Sequence, residues 1–178
     1  RWLVQASEMP AFTDLLVGIS DAWTNQRGEV VAQADALADA VTHQLQHNEA
    51  PIIIGEDQIS EAVSGLVGIF DQRFGGFGGT PKFPQPTYIE FLLTVRMSAD
   101  EDTKKVIDTA VRTTLDAMLA GGIRDHVGGG FHRYSVDQSW TVPHFEKMLY
   151  DQALLLSVYA KAAAVYDDAE YRRTATEI

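Results

Sequence analysis

The chain has 178 residues, 46% of them hydrophobic, which is enough to bury a real core in one domain or part of a larger one and excludes a disordered chain. Fourteen basic against 25 acidic residues give a formal charge of -11, a field that repels phosphate backbones and anionic membranes and leaves basic partners or neutral ligands. The absence of cysteine excludes disulfides, thiolate catalysis and cysteine metal sites.

The longest apolar run, Ala153 to Ala160, meets Lys161 and falls far short of the roughly 18–20 residues that span a bilayer. The N-terminus carries no basic, then apolar, then small-residue secretion pattern, so the expectation is a soluble, cytoplasmic protein with no membrane and no nucleic-acid partner. The chain opens at Arg1 without a methionine and closes at Ile178 within a stretch from Ala169 that reads as the opening of a helix. An excerpt of a longer protein is therefore expected.

After Pro10, Phe12, Leu15, Leu16, Ile19, Ala22 and Trp23 recur at helical spacing, and a second run carries Val30, Val31, Ala34, Leu37, Ala38, Val41 and Leu45. Two amphipathic helices meeting near Asn25 to Gly28 are predicted. His47 to Glu56, with Pro51 and the Ile52-Ile53-Ile54 triplet, reads as an extended connector. His43 and His47, an i, i+4 pair, read as solvated. A third helix is expected from Asp57 to Phe70, with Ile59, Val63, Leu66, Val67 and Phe70 inward, ending before the glycine-rich run Gly75 to Pro84.

Thr87 and Glu90 have capping-box spacing and predict a helix to about Ser98. Asp100, Glu101 and Asp102 suit the positive end of the next helix, whose apolar face is Val106, Ile107, Ala110, Val111, Leu115, Met118 and Leu119, with Gly121-Gly122 as its stop. A last long helix is expected from about Pro143, whose missing amide proton is harmless in a first turn, through Val165. The sum is an all-α chain of hairpins with two glycine-rich returns.

Between the last two long helical patterns lies Gly121 to Asp137, five glycines among imidazoles, carboxylates, cations and aromatics, followed by Thr141 to Asp151. So many glycines are tolerated mainly where backbone turns sharply or approaches another surface closely, which marks this as the place for a site. On a helix, His144, Lys147 and Asp151 stand at i, i+3 and i+7, with Glu146 and Tyr150 on an adjacent face. Such an edge suits general acid–base work by His144, while the same residues also serve as helix–helix fasteners. Asp125, His126, His132, Arg133, Tyr134, Asp137 and Trp140 join them from the loop. His126 or His132 is a second proton carrier, Arg133 and Lys147 bind oxygens, and Tyr134 or Trp140 offers a flat face to a sugar ring. The alternative has Arg133 and Asp137 tying the loop internally and the aromatics filling the core.

No compact metal-ligand pair such as His-Glu-x-x-His is present, and neither glycine run follows a strand or ends in Gly-Lys-Ser/Thr, so neither a metal nor any other cofactor is expected. Lys82, in Pro81-Lys82-Phe83-Pro84, either reaches a mouth or braces two hairpins. For sugar hydrolysis, two carboxylates, Asp125 or Asp137 with Glu146 or Asp151, would face each other about 5–9 Å apart.

Three runs, Gly75 to Pro84, Gly121 to Tyr134 and Pro143 to Asp151, in this order, closely resemble the thioredoxin-domain-containing family of the spermatogenesis-associated protein 20 type. The resemblance extends over essentially the whole chain. It implies a thioredoxin-like domain before Arg1, followed by a helical barrel like that of N-acylglucosamine 2-epimerases and six-hairpin glycosidases. On this resemblance, residues from about Phe12 to Ile178 form a single helical domain that is the first part of an (α/α)6 toroid, roughly half of it. In such toroids inner helices and mouth loops surround a carbohydrate, and the contributors here would be Lys82, Asp125, His126, Arg133, Tyr134, Asp137, Trp140, His144, Glu146, Lys147 and Asp151. Three readings stay open: epimerase- or isomerase-like chemistry on a carbohydrate, glycoside hydrolysis, and a noncatalytic scaffold that docks its own thioredoxin-like domain or another protein. A half toroid exposes inner apolar faces and is expected to form homodimers through them.

Overall fold

The computed structural model describes residues 10–45 and 53–178, and all regular structure among them is helical. The chain divides into two compact units, Arg1–Ile53 and Ile54–Ile178. Most of the predicted connector, including His47, Pro51 and Ile52, lies outside the described residues; Ile53 and Ile54 have no regular structure and are exposed.

In the first unit, α1 (Phe12–Asn25) packs on α2 (Arg27–Leu45), as the two periodic runs require. Neither helix buries a residue: Phe12, Leu16, Trp23, Leu37 and Leu45 all stay exposed, and Arg27 stacks its guanidinium on Trp23.

The second unit holds the core and the candidate site. α3 (Glu56–Gly68) buries Val63 and leans Leu66 and Val67 on the core, and it touches α4 (Pro86–Arg96) and α5 (Glu101–Ala120). α5 starts as its acidic run predicts, with the Asp100 carboxylate accepting from the amides of Asp102 and Thr103. Its buried stripe is Ile107, Ala110, Val111, Leu115, Met118 and Leu119 with Thr114; Val106 is half exposed. α6 (Leu149–Tyr166) lies between α4 and α7 (Ala169–Glu177) and buries Leu155, Val158, Tyr159, Ala162 and Ala163. Asp167 ends α6 in the left-handed conformation, and Asp168 caps α7 by accepting from Glu170 and Tyr171.

Polar ties fix the packing of these helices. Tyr159 donates to the Leu115 carbonyl, Tyr171 to Asp116 and Tyr166 to Asp108, which also forms a bidentate pair with Arg96. Burial, then the bonded carboxylates, raise the Tyr166 and Tyr171 hydroxyls well above the ordinary phenol range, so both remain donors.

Two sequence-based helix starts are corrected. The Thr87 capping box does not form: Gln85, at φ 49°, precedes the helix, Pro86 takes the first turn, and Glu90 instead forms an ion pair with Lys161 on α6. The helix expected from Pro143 begins only at Leu149, after Met148. Residues 143–148 are drawn into irregular pairing with the preceding loop: the His144 amide donates to the Tyr134 carbonyl and the Arg133 amide to the Glu146 carbonyl. Those bonds hold the segment out of the helix, and the local preference of proline for a first turn yields to them.

Candidate functional site

Two irregular segments, 69–85 and 121–148, meet at one end of the second unit. They are joined by an antiparallel bridge in which the Lys82 and Ser135 amides each donate to the other's carbonyl at 2.8 Å. Arg124 likewise pairs with Phe131, and Ser135 with Pro143. The Gln152 side chain, projecting from α6, replaces a neighbouring strand: its Oε1 accepts from the Phe131 amide and its Nε2 donates to the Phe131 carbonyl, both at 2.8 Å. Gly130, at φ 72°, is needed beside it, since a Cβ there would sit 2.5 Å from Gln152 Oε1.

Several predicted ligand-facing residues turn inward. Lys82 is fully buried and uses all three ammonium protons, on Asp71 Oδ2 (2.7 Å), the Gly75 carbonyl (2.7 Å) and the Gln138 carbonyl (2.9 Å), while lying over the Trp140 ring. Of the two readings open for it, reaching a mouth or bracing, the buried contacts are those of a brace between the two segments. Burial opposes ionisation of Asp71, yet the Lys82 bond and the Phe74 and Arg73 amides outweigh it and hold this carboxyl below its usual range. Trp140 is also fully buried, with its indole N–H on the Phe74 carbonyl, so it offers no face to a sugar.

Asp137 organises its own loop. Its carboxylate accepts from the amides of Ser139, Thr141 and Val142 and from the Ser135 and Ser139 hydroxyls. Burial pushes its pKa up, but these bonds prevail and hold it well below the ordinary carboxylate range. Asp125 closes the turn Val127–Gly129: the Gly128 amide, then the Lys147 ammonium at 2.5 Å and the Val127 amide, hold it strongly ionised. Lys147 also donates to the Gly129 carbonyl, and His126 Nε2 lies 2.9 Å from the Gly121 carbonyl. An open cleft of about 620 Å³ flanks this turn and is lined by Arg124 and His126 together with Arg173 and Glu177 of α7; Arg124 and Glu177 pair across it at 2.6 Å.

The remaining predicted residues form an accessible rim. Tyr134 stacks on His144 (4.7 Å, 17°) and leans on Phe83 (4.9 Å), while His132 meets Phe145 edge-on (5.1 Å). Arg133 pairs with Glu146 at 3.1 Å, and Glu146 lies 3.5 Å from His144 Nδ1, at ion-pair rather than hydrogen-bond geometry. The Nδ1 atoms of His132 and His144 are both shielded from solvent and without a hydrogen-bond partner. Burial, helped by Lys147, lowers the His132 pKa and favours its neutral form. Asp151, in the first turn of α6, makes no hydrogen bond or ion pair among the described residues; burial raises its pKa against the opposing pull of Arg133. Tyr150 stands half exposed beside it, and Phe145 and Leu149 are largely exposed.

The structure thus brings Arg133, Tyr134, His144 and Glu146 together with Asp151 on the Arg133 side. Because His144 and Lys147 precede the helix, the expected i, i+3, i+7 edge with Asp151 does not exist, and Lys147 serves the Asp125 turn instead. Sequence reasoning missed Asp71, Phe83 and Gln152. An acidic residue just before a glycine run with a lysine following it was the available signal for Asp71; Gln152 carried none beyond its polarity on an apolar helix. Among the described residues no group of three or more His, Asp or Glu is gathered as a metal ion would require, and no helix is long and apolar enough to cross a membrane.

No protein-family model matches the chain. It is 37% identical over 167 residues to spermatogenesis-associated protein 20 of Rattus norvegicus, covering 88% of this chain and 20% of that protein. The Homo sapiens protein of the same name is 35% identical over 177 residues, covering 94% of this chain and 22% of its own length. An uncharacterised protein of Caenorhabditis elegans is 52% identical over 92 residues, 51% of this chain and 13% of that protein. The chain therefore spans about a fifth of the length of the spermatogenesis-associated protein 20 relatives it matches. Similarity of this extent links the chain to the spermatogenesis-associated protein 20 family, as the counterpart of one segment of those longer proteins.

Proposed function

We propose that this chain is the first part of an (α/α)6 toroid and that its rim forms one wall of a carbohydrate site. In this reading the Phe83–Tyr134–His144 ladder provides the apolar surface, the Arg133–Glu146 pair orients hydroxyl groups, and His144 and Asp151 are the proton carriers. The observation that carries it is the contrast within the site. Asp125, Asp137 and Glu146 each have internal partners, whereas Asp151 and the two imidazole Nδ1 atoms have no hydrogen bond.

The same contrast separates the two chemistries. A two-carboxylate hydrolysis needs a facing pair of uncommitted carboxyl groups, and Asp151 is the one such group among the candidate carboxylates. A single imidazole–carboxyl combination suits proton abstraction beside a carbonyl, as in epimerisation or isomerisation. A noncatalytic scaffold is the second reading, favoured by the internal use of Lys82, Asp137 and Trp140 as braces.

Ligand-observed NMR on the full-length protein with a panel of hexoses and N-acetylhexosamines tests the proposal. Saturation transfer to a sugar, lost in His144→Ala and Tyr134→Ala with melting temperature retained, supports it. Absence of transfer to every sugar, or transfer indifferent to both variants, favours the scaffold.

A further inference from the structure

The charge left over at the rim has a definite sign. Arg133 is paired with Glu146, Lys147 with Asp125, Lys82 with Asp71 and Arg124 with Glu177, so four of the five cations of the two loop segments already have a carboxylate partner, and the fifth, Arg73, lies over the Phe74 ring. Asp151 has none; Arg133 acts on it electrostatically without bonding to it. Its chain neighbour Tyr150 is half exposed and offers a ring face that attracts positive charge. Over the whole chain the formal charge of -11 adds a field of the same sign.

Resting on the carbohydrate reading above, we infer that the rim takes unphosphorylated sugars and, within that class, favours one bearing a free amine, whose ammonium group pairs with Asp151. A sugar phosphate or uronic acid brings an anion to a rim with no uncommitted cation. An ammonium group supplies the partner that Asp151 lacks and leaves the Arg133–Glu146 pair intact. An acetylated amine carries no charge and forfeits this contact, though it keeps the same ring.

Isothermal titration of the full-length protein at neutral pH with glucosamine, N-acetylglucosamine, glucose and glucose 6-phosphate decides this. One ion pair at about 4 Å in near-aqueous surroundings corresponds to a preference of about fivefold. Glucosamine is therefore expected to bind about fivefold tighter than glucose or N-acetylglucosamine, with glucose 6-phosphate weakest. The preference should shrink in high salt in the unaltered protein and vanish in Asp151→Asn, whose shape is conserved. Equal affinity for glucosamine and glucose, or tightest binding of glucose 6-phosphate, overturns the amine preference and leaves sugar binding intact. Failure of all four to bind overturns sugar binding itself.

Discussion

Replacing Lys82 with methionine keeps the four-atom stem against Trp140 and removes only the ammonium group. Three acceptors then lose their donor: Asp71 Oδ2, the Gly75 carbonyl and the Gln138 carbonyl. Breaking a buried ion pair from one side costs about 3–5 kcal/mol, because the surviving charge is stranded. Here the penalty is smaller, since Asp71 keeps the Arg73 and Phe74 amides on its other oxygen and its side chain is 20% exposed to water. The expected loss is about 2–4 kcal/mol. Urea unfolding followed by far-UV circular dichroism measures it, and the indole N–H resonance of Trp140 reports whether the loop moves. Adding Asp71→Asn to Lys82→Met should recover part of the loss, because a stranded charge becomes a neutral amide. A Lys82→Met protein within about 0.5 kcal/mol of the parent would refute the view that this lysine is a brace.

Leu115, fully buried on α5, should lose about 2–5 kcal/mol as Leu115→Ala in the same urea assay. Two glycine replacements should diverge in thermal melts. Gly122→Ala places a Cβ 2.2 Å from the Thr141 carbonyl oxygen and should destabilise sharply, whereas Gly65→Ala, in α3 with nothing within 4 Å, should stabilise by about 0.5–1 kcal/mol. The depressed pKa of Asp137 predicts a pH dependence. The folded value lies below the unfolded value near 3.9, so its contribution is present in full above that value and is lost as pH falls from about 4 through the folded pKa. Asp137→Asn should therefore flatten the acid limb of a pH–stability curve and leave its neutral-to-basic limb parallel to the parent's.

The helices were legible because their signals are local. The acidic start of α5 and its 3.6-residue apolar stripe predicted where the helix begins and the buried set from Ile107 to Leu119. Where a nonlocal bond competes, the local reading fails. Thr87 and Glu90 had the right spacing for a cap, but Pro86 occupied the first turn and Lys161, some seventy residues on, claimed Glu90. Pro143 suits a helix start and an irregular loop equally, and the pairing of His144 with Tyr134 selected the latter. That the candidate polar residues sit on irregular, glycine-rich segments was readable from glycine beside polar residues. The division of labour within it was not, because nothing in a one-dimensional pattern distinguishes Asp137, folded on its own loop, from Asp151, left without a partner.

The Gln152 amide, gripping the Phe131 backbone from both sides, makes a long irregular stretch depend on a helix. With Asp125 and Asp137 tying their own turns and Lys82 joining the other segment, residues 121–148 have few bonds that open singly. A protease probing the folded protein should therefore pass over this glycine-rich span, and its amides at Ser135 and Phe131 should exchange with deuterium only as slowly as those of α5 and α6. What looks like a loop by its lack of repeating structure would then unfold together with the core.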